Sequence, residues 1–182
     1  MRTLSEHILD IVQNSISANA TLIEIIVEED KINDLCCLII NDNGCGMDKE
    51  TLVKAVNPFF TSRTTRKVGL GLPLLKQNAE ASGGSFSLAS ELNSGTRLTA
   101  TFKLSNIDRP PLGDIWETLY LLLLSYKKGN LVYLHKTSLG EFSLSSDELR
   151  EVLGDVSFQQ KEIRHGILEL IKSNLEDIKA IK

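Results

Sequence analysis

Cysteine is scarce in this chain, and a basic excess, a long apolar run and the common phosphate-loop motifs are missing from it. Three cysteines occur in 182 residues. Two of them, Cys36 and Cys37, are adjacent, which gives neither a metal-ligand spacing nor a disulfide framework. Neighbours on a strand point to opposite faces, so these two read as buried, reduced thiols. Cys45, flanked by glycines, is the one expected at the surface. The longest apolar run, LYLLLL at Leu119 to Leu124, is far short of the ~20 residues that cross a bilayer. Glu6 and Asp10 interrupt the N-terminal apolar residues before a signal sequence can form. A cytoplasmic protein without a membrane segment is expected.

The net charge is -4, and Met1 to Leu104 carries 10 Lys and Arg against 12 Asp and Glu, with the same balance in the remainder. Binding a nucleic-acid backbone or an anionic membrane needs a local basic excess, so neither partner is expected. GLGLPLL and GCGMDK each lack the third glycine of a dinucleotide fingerprint, and no G-x-x-x-x-G-K-[ST] occurs. The two commonest phosphate loops are therefore excluded.

What remains is long enough for one domain with a full core and a smaller appendage. Leu4, Ile8, Ile11, Val12 and Ser15 form one helical stripe, and Thr3 with Glu6 has capping-box spacing, so a helix is predicted from Leu4 to Ala18. TLIEIIVEE and LCCLIIN read as paired strands about a turn. MDKETLVKAV resumes helical periodicity behind Asp48, a capping residue. NPFFTSRTTRKVGLG has no period and reads as a long loop. LPLLKQNAEAS is a helix stopped by Gly83 and Gly84, and SFSLASE and GTRLTATFKL alternate as strands. Residues 105–113, with Pro110, Pro111 and Gly113, read as a linker. Residues 114–182 then form a small α/β module with partner-docking or regulatory potential: a helix to Tyr126, strands LVYLHK and GEFSL, a capped helix from Ser146 to Leu153, and a terminal helix from about Gln159.

Several residues invite a chemical reading. Asp10 and Asn14 share a helix face. Asp42 ends a strand ahead of Gly44 and Gly46. Arg63, Arg66 and Lys67 lie in the loop that leads to Gly69, Gly71 and a helix start, and Thr96 opens the last strand of this part. Taken singly, each has a plain alternative: a helix-end polar residue for Asn14, an Asx turn for Asp42, a loop-to-helix junction for the second glycine pair, a solvated face for the cations. Their joint occurrence in this order is what a plain reading leaves unexplained.

The stretches DIVQNSISANATLIEI, NDNGCGMD, NPFFTSR and VGLGLPLLKQNAEASGGSFSLAS with NSGTRLTATF resemble the four sequence boxes of the gyrase, heat-shock chaperone, histidine kinase and MutL superfamily of ATPases, called GHKL. The resemblance runs over residues 4–104. It implies a Bergerat-type α/β two-layer sandwich, helices over a mixed sheet, with ATP held between the helix layer and a lid. By position, Asn14 would help hold Mg2+ against the phosphates, Asp42 would accept from the adenine amino group, and Thr96 would support the same edge of the base. Gly44 and Gly46 would let backbone approach adenine. Gly69 and Gly71 would let the lid fold, and Arg63, Arg66 and Lys67 would neutralise phosphate charge. Asp10 stands where the MutL-like and anti-sigma-kinase-like branches carry a general-base Glu, one methylene longer. Ser17 stands where the MutL-like branch has Asp, and the lid, about Thr61 to Val68, is short.

Within that superfamily only a few residues precede the first box, which leaves no room for a phosphoacceptor hairpin, and 105–182 is small for a transducer domain. A stand-alone regulatory protein is expected, acting on a protein partner or as a homodimer. Two functions fit: a protein kinase or slow ATPase that passes the γ-phosphate to a partner in trans, or a nucleotide-dependent binding switch with little turnover.

Overall fold

The computed structural model describes residues 1–57, 71–154 and 156–181. The first helix, α1 (Leu4–Ser17), starts where the pattern places it: Thr3 Oγ1 accepts from Glu6 N at 3.2 Å. Its buried stripe holds Leu4, Ile8, Ile11, Val12 and Ser15. Two strands come next, β1 (Leu22–Asp30) and β2 (Leu35–Asp42), then α2 (Lys49–Ala55), capped by Asp48 through Thr51 N at 2.7 Å. The stretch read as a long loop lies largely outside the described residues, and after it come α3 (Gly71–Ala81), β3 (Phe86–Glu91) and β4 (Gly95–Lys103). The C-terminal part supplies α4 (Ile115–Ser125), β5 (Asn130–Thr137), β6 (Gly140–Ser145), α5 (Ser146–Leu153) and α6 (Lys161–Asp177).

The strands form one six-stranded sheet in the order β3-β4-β2-β1-β5-β6, antiparallel throughout except for the parallel pair β1 and β5. Alternation decides its two faces. Ile23, Ile25, Val27, Leu38, Leu98 and Phe102 point to the buried side, while Glu28, Arg97 and Lys103 point away from it. The buried face packs under α1, α3 and α4, with α6 against α4. This is an α/β sandwich of helices over a mixed sheet, as expected.

The segment beyond Leu104 is knit into the same body. β5 pairs with β1 along seven residues, from Leu22↔Asn130 to Glu28↔Lys136. The proline-rich stretch read as a linker is docked: Leu4 N and Ser5 N donate to Pro111 O and Leu112 O at 2.9 and 3.0 Å. Those carbonyls satisfy two of the amides that a helix start leaves without partners. Ser105 is bound through its N and Oγ to the Asp34 carboxylate, which those hydrogen bonds hold below the usual carboxylate range.

Candidate functional site

Register places the site at one end of the sheet. Asp42 closes β2 directly opposite Thr96, near the start of β4, and Thr96 lies opposite Ser90 on β3. Side chains so placed on one face stand roughly 4.5–5.5 Å apart at Cβ. The C-terminal half of α1 reaches this row at Asp42, through Ser15.

Asp42 is held at both oxygens. Ser15 Oγ donates to Oδ2 at 2.6 Å and Gly44 N donates to Oδ1 at 2.9 Å. A carboxylate has further lone pairs beyond these two bonds, and Asp42 is only half-buried, so it can accept again from outside. Ser15 is missing from the residues singled out in the sequence because it sits within the apolar stripe of α1. A buried hydroxyl needs a hydrogen-bond partner, and that requirement was the available signal.

The glycines serve close packing between protein segments. A side chain on Gly44 would meet Ala18 Cβ and O at 2.9 Å. Gly46 has φ +64°, and a Cβ there would run into the Glu91 carbonyl. Two further bonds fasten this turn to the β3–β4 hairpin: Asn93 N donates to Cys45 O at 2.8 Å and Met47 N to Ser90 Oγ at 2.9 Å. Asn43 clamps the other flank, its Oδ1 accepting from Thr21 N and Leu22 N at 2.8 Å each. Cys45 is exposed and Cys36 buried; burial and the nearby Glu29 charge push the Cys36 thiol up to about 12.

The second group lies further up α1. Asp10 and Asn14 are half-buried, one turn apart. Gly71, the first residue of α3, lies so close to Asp10 that a Cβ there would collide with the carboxylate. The charge thus sits at a helix N-terminus, where the aligned peptide dipoles attract it. Beneath it His7 is fully buried and accepts at Nε2 from Asn78 Nδ2 at 2.9 Å. Burial lowers its pKa to about 4, so His7 is a neutral strut between α1 and α3.

Asp42, Thr96, Gly44 and Gly46 are therefore brought together, and Asp10 with Gly71 forms a neighbouring group. Asn14, beside Ser15 in sequence, connects them along α1. Arg63, Arg66, Lys67 and Gly69 lie outside the described residues. The donor chemistry fits Mg-ATP: a fixed acceptor-only carboxylate suits an exocyclic amino group, and an amide oxygen at Asn14 suits a hard divalent cation. Among the described residues no group of three or more His, Cys, Asp or Glu is placed to hold a metal alone.

Residues 2–106 match the family described as histidine kinase-, DNA gyrase B-, and HSP90-like ATPase. A putative sensor protein of Shewanella frigidimarina is 35% identical over 107 residues, covering 58% of this chain and 16% of that protein. The sensor histidine kinase YvrG of Bacillus subtilis is 33% identical over 91 residues, covering 48% of this chain and 15% of that protein. The match thus spans about a sixth of the length of these curated relatives. The crystal structure of the N-terminal domain of a DNA repair protein superimposes with a TM-score of 0.56 at 18% identity, covering 80% of this chain and 53% of that one. At that identity the likeness is one of fold.

Proposed function

The chain belongs to the histidine kinase-, DNA gyrase B-, and HSP90-like ATPase family, and on that premise we propose that it binds Mg-ATP and acts in the cytoplasm as a regulatory kinase-type ATPase, phosphorylating a partner protein in trans. The observation that carries the ATP reading is Asp42, fixed by Ser15 and Gly44 beside Thr96. Two hydrogen bonds lock the carboxylate before any ligand arrives. It then offers only acceptors to a base edge, which favours the adenine amino group over the guanine carbonyl.

In this reading Asn14 gives Mg2+ an amide oxygen, and that ion, when bound, neutralises phosphate charge. Gly44 and Gly46 hold the base-side turn, and Gly71 begins the helix whose first amides face the phosphates. Asp10 is the general-base candidate on geometry, being the carboxylate one turn before Asn14 at the α3 start. Arg63, Arg66 and Lys67 would neutralise phosphate charge, and Gly69 would let the lid fold. Positioning and charge neutralisation do most of the work in phosphoryl transfer. The sensor-type relatives support a protein partner.

One observation favours the second reading, a nucleotide-dependent binding switch. The Asp10 side chain is short and packed against Gly71, which leaves it little reach toward an attacking group.

Calorimetry with Mg-ATP tests the binding step. Asp42→Asn turns an amide donor toward the adenine donor and is expected to lower affinity by roughly 30- to 150-fold, about 2–3 kcal/mol. Equal affinity in that variant sinks the assignment. Incubation with γ-labelled ATP and candidate partner proteins then separates the two readings: label transfer that Asn14→Ala abolishes supports the kinase, and ATP binding without transfer supports the switch.

A further inference from the structure

Ser90 stands at a junction that the ATP reading does not use. Its Oγ lies 2.9 Å from Met47 N, 2.8 Å from Gly95 O and 2.9 Å from Thr96 Oγ1. A serine hydroxyl has one proton and two lone pairs, so three neighbours occupy it completely, and their chemistry fixes which takes what. Met47 N is a donor and fills one lone pair. Gly95 O is an acceptor and takes the only proton. Thr96 must therefore donate its own proton to the second lone pair. The reverse orientation would set Ser90 Oγ and Gly95 O at 2.8 Å as two facing acceptors, a repulsive contact in place of a hydrogen bond.

The consequence falls on Thr96. Its hydroxyl proton is committed to Ser90, so toward the site it presents lone pairs alone. Across the ladder Asp42, whose own bonds to Ser15 and Gly44 are both acceptances, also presents lone pairs alone. The row Ser90, Thr96, Asp42 shares one register line across three strands.

We propose that Ser90 is a positioning residue for base specificity: it fixes the polarity of the Thr96 hydroxyl, so that Thr96 and Asp42 offer two acceptors to the two protons of a 6-amino group, and a purine carrying a carbonyl at position 6 meets only lone pairs there. This rests on the reading of Asp42 and Thr96 as the base-binding edge. Without Ser90, the Thr96 hydroxyl can rotate and donate, and a 6-oxo purine finds a partner it lacks in the wild-type site.

The test compares the affinity of the 182-residue chain for ATP and for inosine triphosphate, whose 6-carbonyl is an acceptor, by calorimetry in the presence of Mg2+. Ser90→Ala is expected to narrow the ATP preference by about 2- to 12-fold, chiefly through tighter inosine triphosphate binding, the range expected for a neutral hydrogen bond. Ser90→Thr keeps a hydroxyl and should restore the preference. A purely structural Ser90 would lower both affinities together and leave their ratio unchanged, so an unchanged ratio in Ser90→Ala overturns the proposal while leaving the ATP reading intact. Should Ser90→Ala not fold, Thr96→Val leaves Ser90 in place and removes the oriented acceptor. It should narrow the ratio by weakening ATP, and a wild-type ratio there overturns the proposal equally. Folded wild-type protein that binds neither nucleotide would remove the base-edge reading and this inference with it.

Discussion

Glu29, at the end of β1 remote from Asp42, is a fully buried side chain whose partners come from distant parts of the chain. Its Oε1 accepts from His135 Nε2 and from Ile181 N, each at 2.7 Å, and His135 Nδ1 lies 2.7 Å from the Tyr133 hydroxyl. Burial, then the Glu29 charge, raises the Tyr133 phenol well above its ordinary range, so that phenol stays a donor. Removing one member of a buried charged group leaves the others unpaired, at about 3–5 kcal/mol. Glu29→Ala is expected to lose that much in urea unfolding, and Glu29→Gln, which keeps an acceptor oxygen, distinctly less; equal small losses would mean the network adds nothing to stability. His7 gives a pH dependence instead. Its pKa of about 4 in the folded state lies below the usual histidine range near 6.5. The unfolded chain therefore takes up the proton first as pH falls. The stability linked to His7 is complete above about pH 6.5 and is lost progressively down to pH 4, on the order of 3 kcal/mol. His7→Gln, measured by urea unfolding at pH 7.5 and 4.5, should show a shallower acid loss than the wild type. An identical slope in both proteins would rule out His7 as its source.

Elements with a strong local signal were legible in the sequence. The stripe and cap of α1, the Asp48 cap of α2 and the span Ser146–Leu153 of α5 all fall within a residue of their expected places, because each is set by neighbours three or four residues away. Asp42, Gly44, Gly46 and Thr96 were legible as a set through the resemblance to a known family. Ser15 and Ser90 were not, since Ser15 sits in the buried stripe of α1 and Ser90 on the half-buried face of β3, and the value of each depends on a distant partner, 27 residues away for Ser15 and the Met47 amide for Ser90. The glycine turn shows the same division. The family resemblance assigns Gly46 a ligand-side purpose, whereas the structure shows positive φ and the Glu91 carbonyl in the space a side chain would fill. Gly46→Ala therefore incurs both left-handed strain, roughly 1–2 kcal/mol, and displacement of the β3–β4 hairpin. It should destabilise by at least about 2 kcal/mol, with faster amide exchange at Met47 and Asn93, the two donors that tie turn to hairpin. Unchanged exchange at both amides would show that the hairpin does not depend on the turn.

At the scale of the whole molecule, the pairing of β5 with β1 was the least legible feature. A parallel pair between strands so far apart in the chain leaves no local trace, and a stretch with Pro110, Pro111 and Gly113 reads as a linker wherever it is met. In the folded chain that stretch caps α1, and the elements from α4 onward complete the core. The Tyr126 hydroxyl donates to Ala20 O at 2.7 Å, beneath the turn that Asn43 clamps, and Arg150 binds Gly129 O and Tyr126 O. Ile115, Leu119, Leu122 and Tyr133 are all fully buried. At about 1.5–3 kcal/mol each, burial of four such side chains amounts to roughly 6–12 kcal/mol, comparable with the whole stability of a typical domain, about 5–15 kcal/mol. Their loss would also expose the hydrogen-bonding edge of β1 and the α4-facing side of α1. A chain ending at Gly113 keeps every box of the proposed nucleotide site and both carbonyls that cap α1. It is nonetheless expected to show no cooperative urea transition and no calorimetric ATP signal, both of which are expected of the 182-residue chain. If residues 1–113 unfold cooperatively near the midpoint of the 182-residue chain, the C-terminal part is an addition to a self-sufficient domain, and its covering of β1 is a docking contact and not a condition of folding.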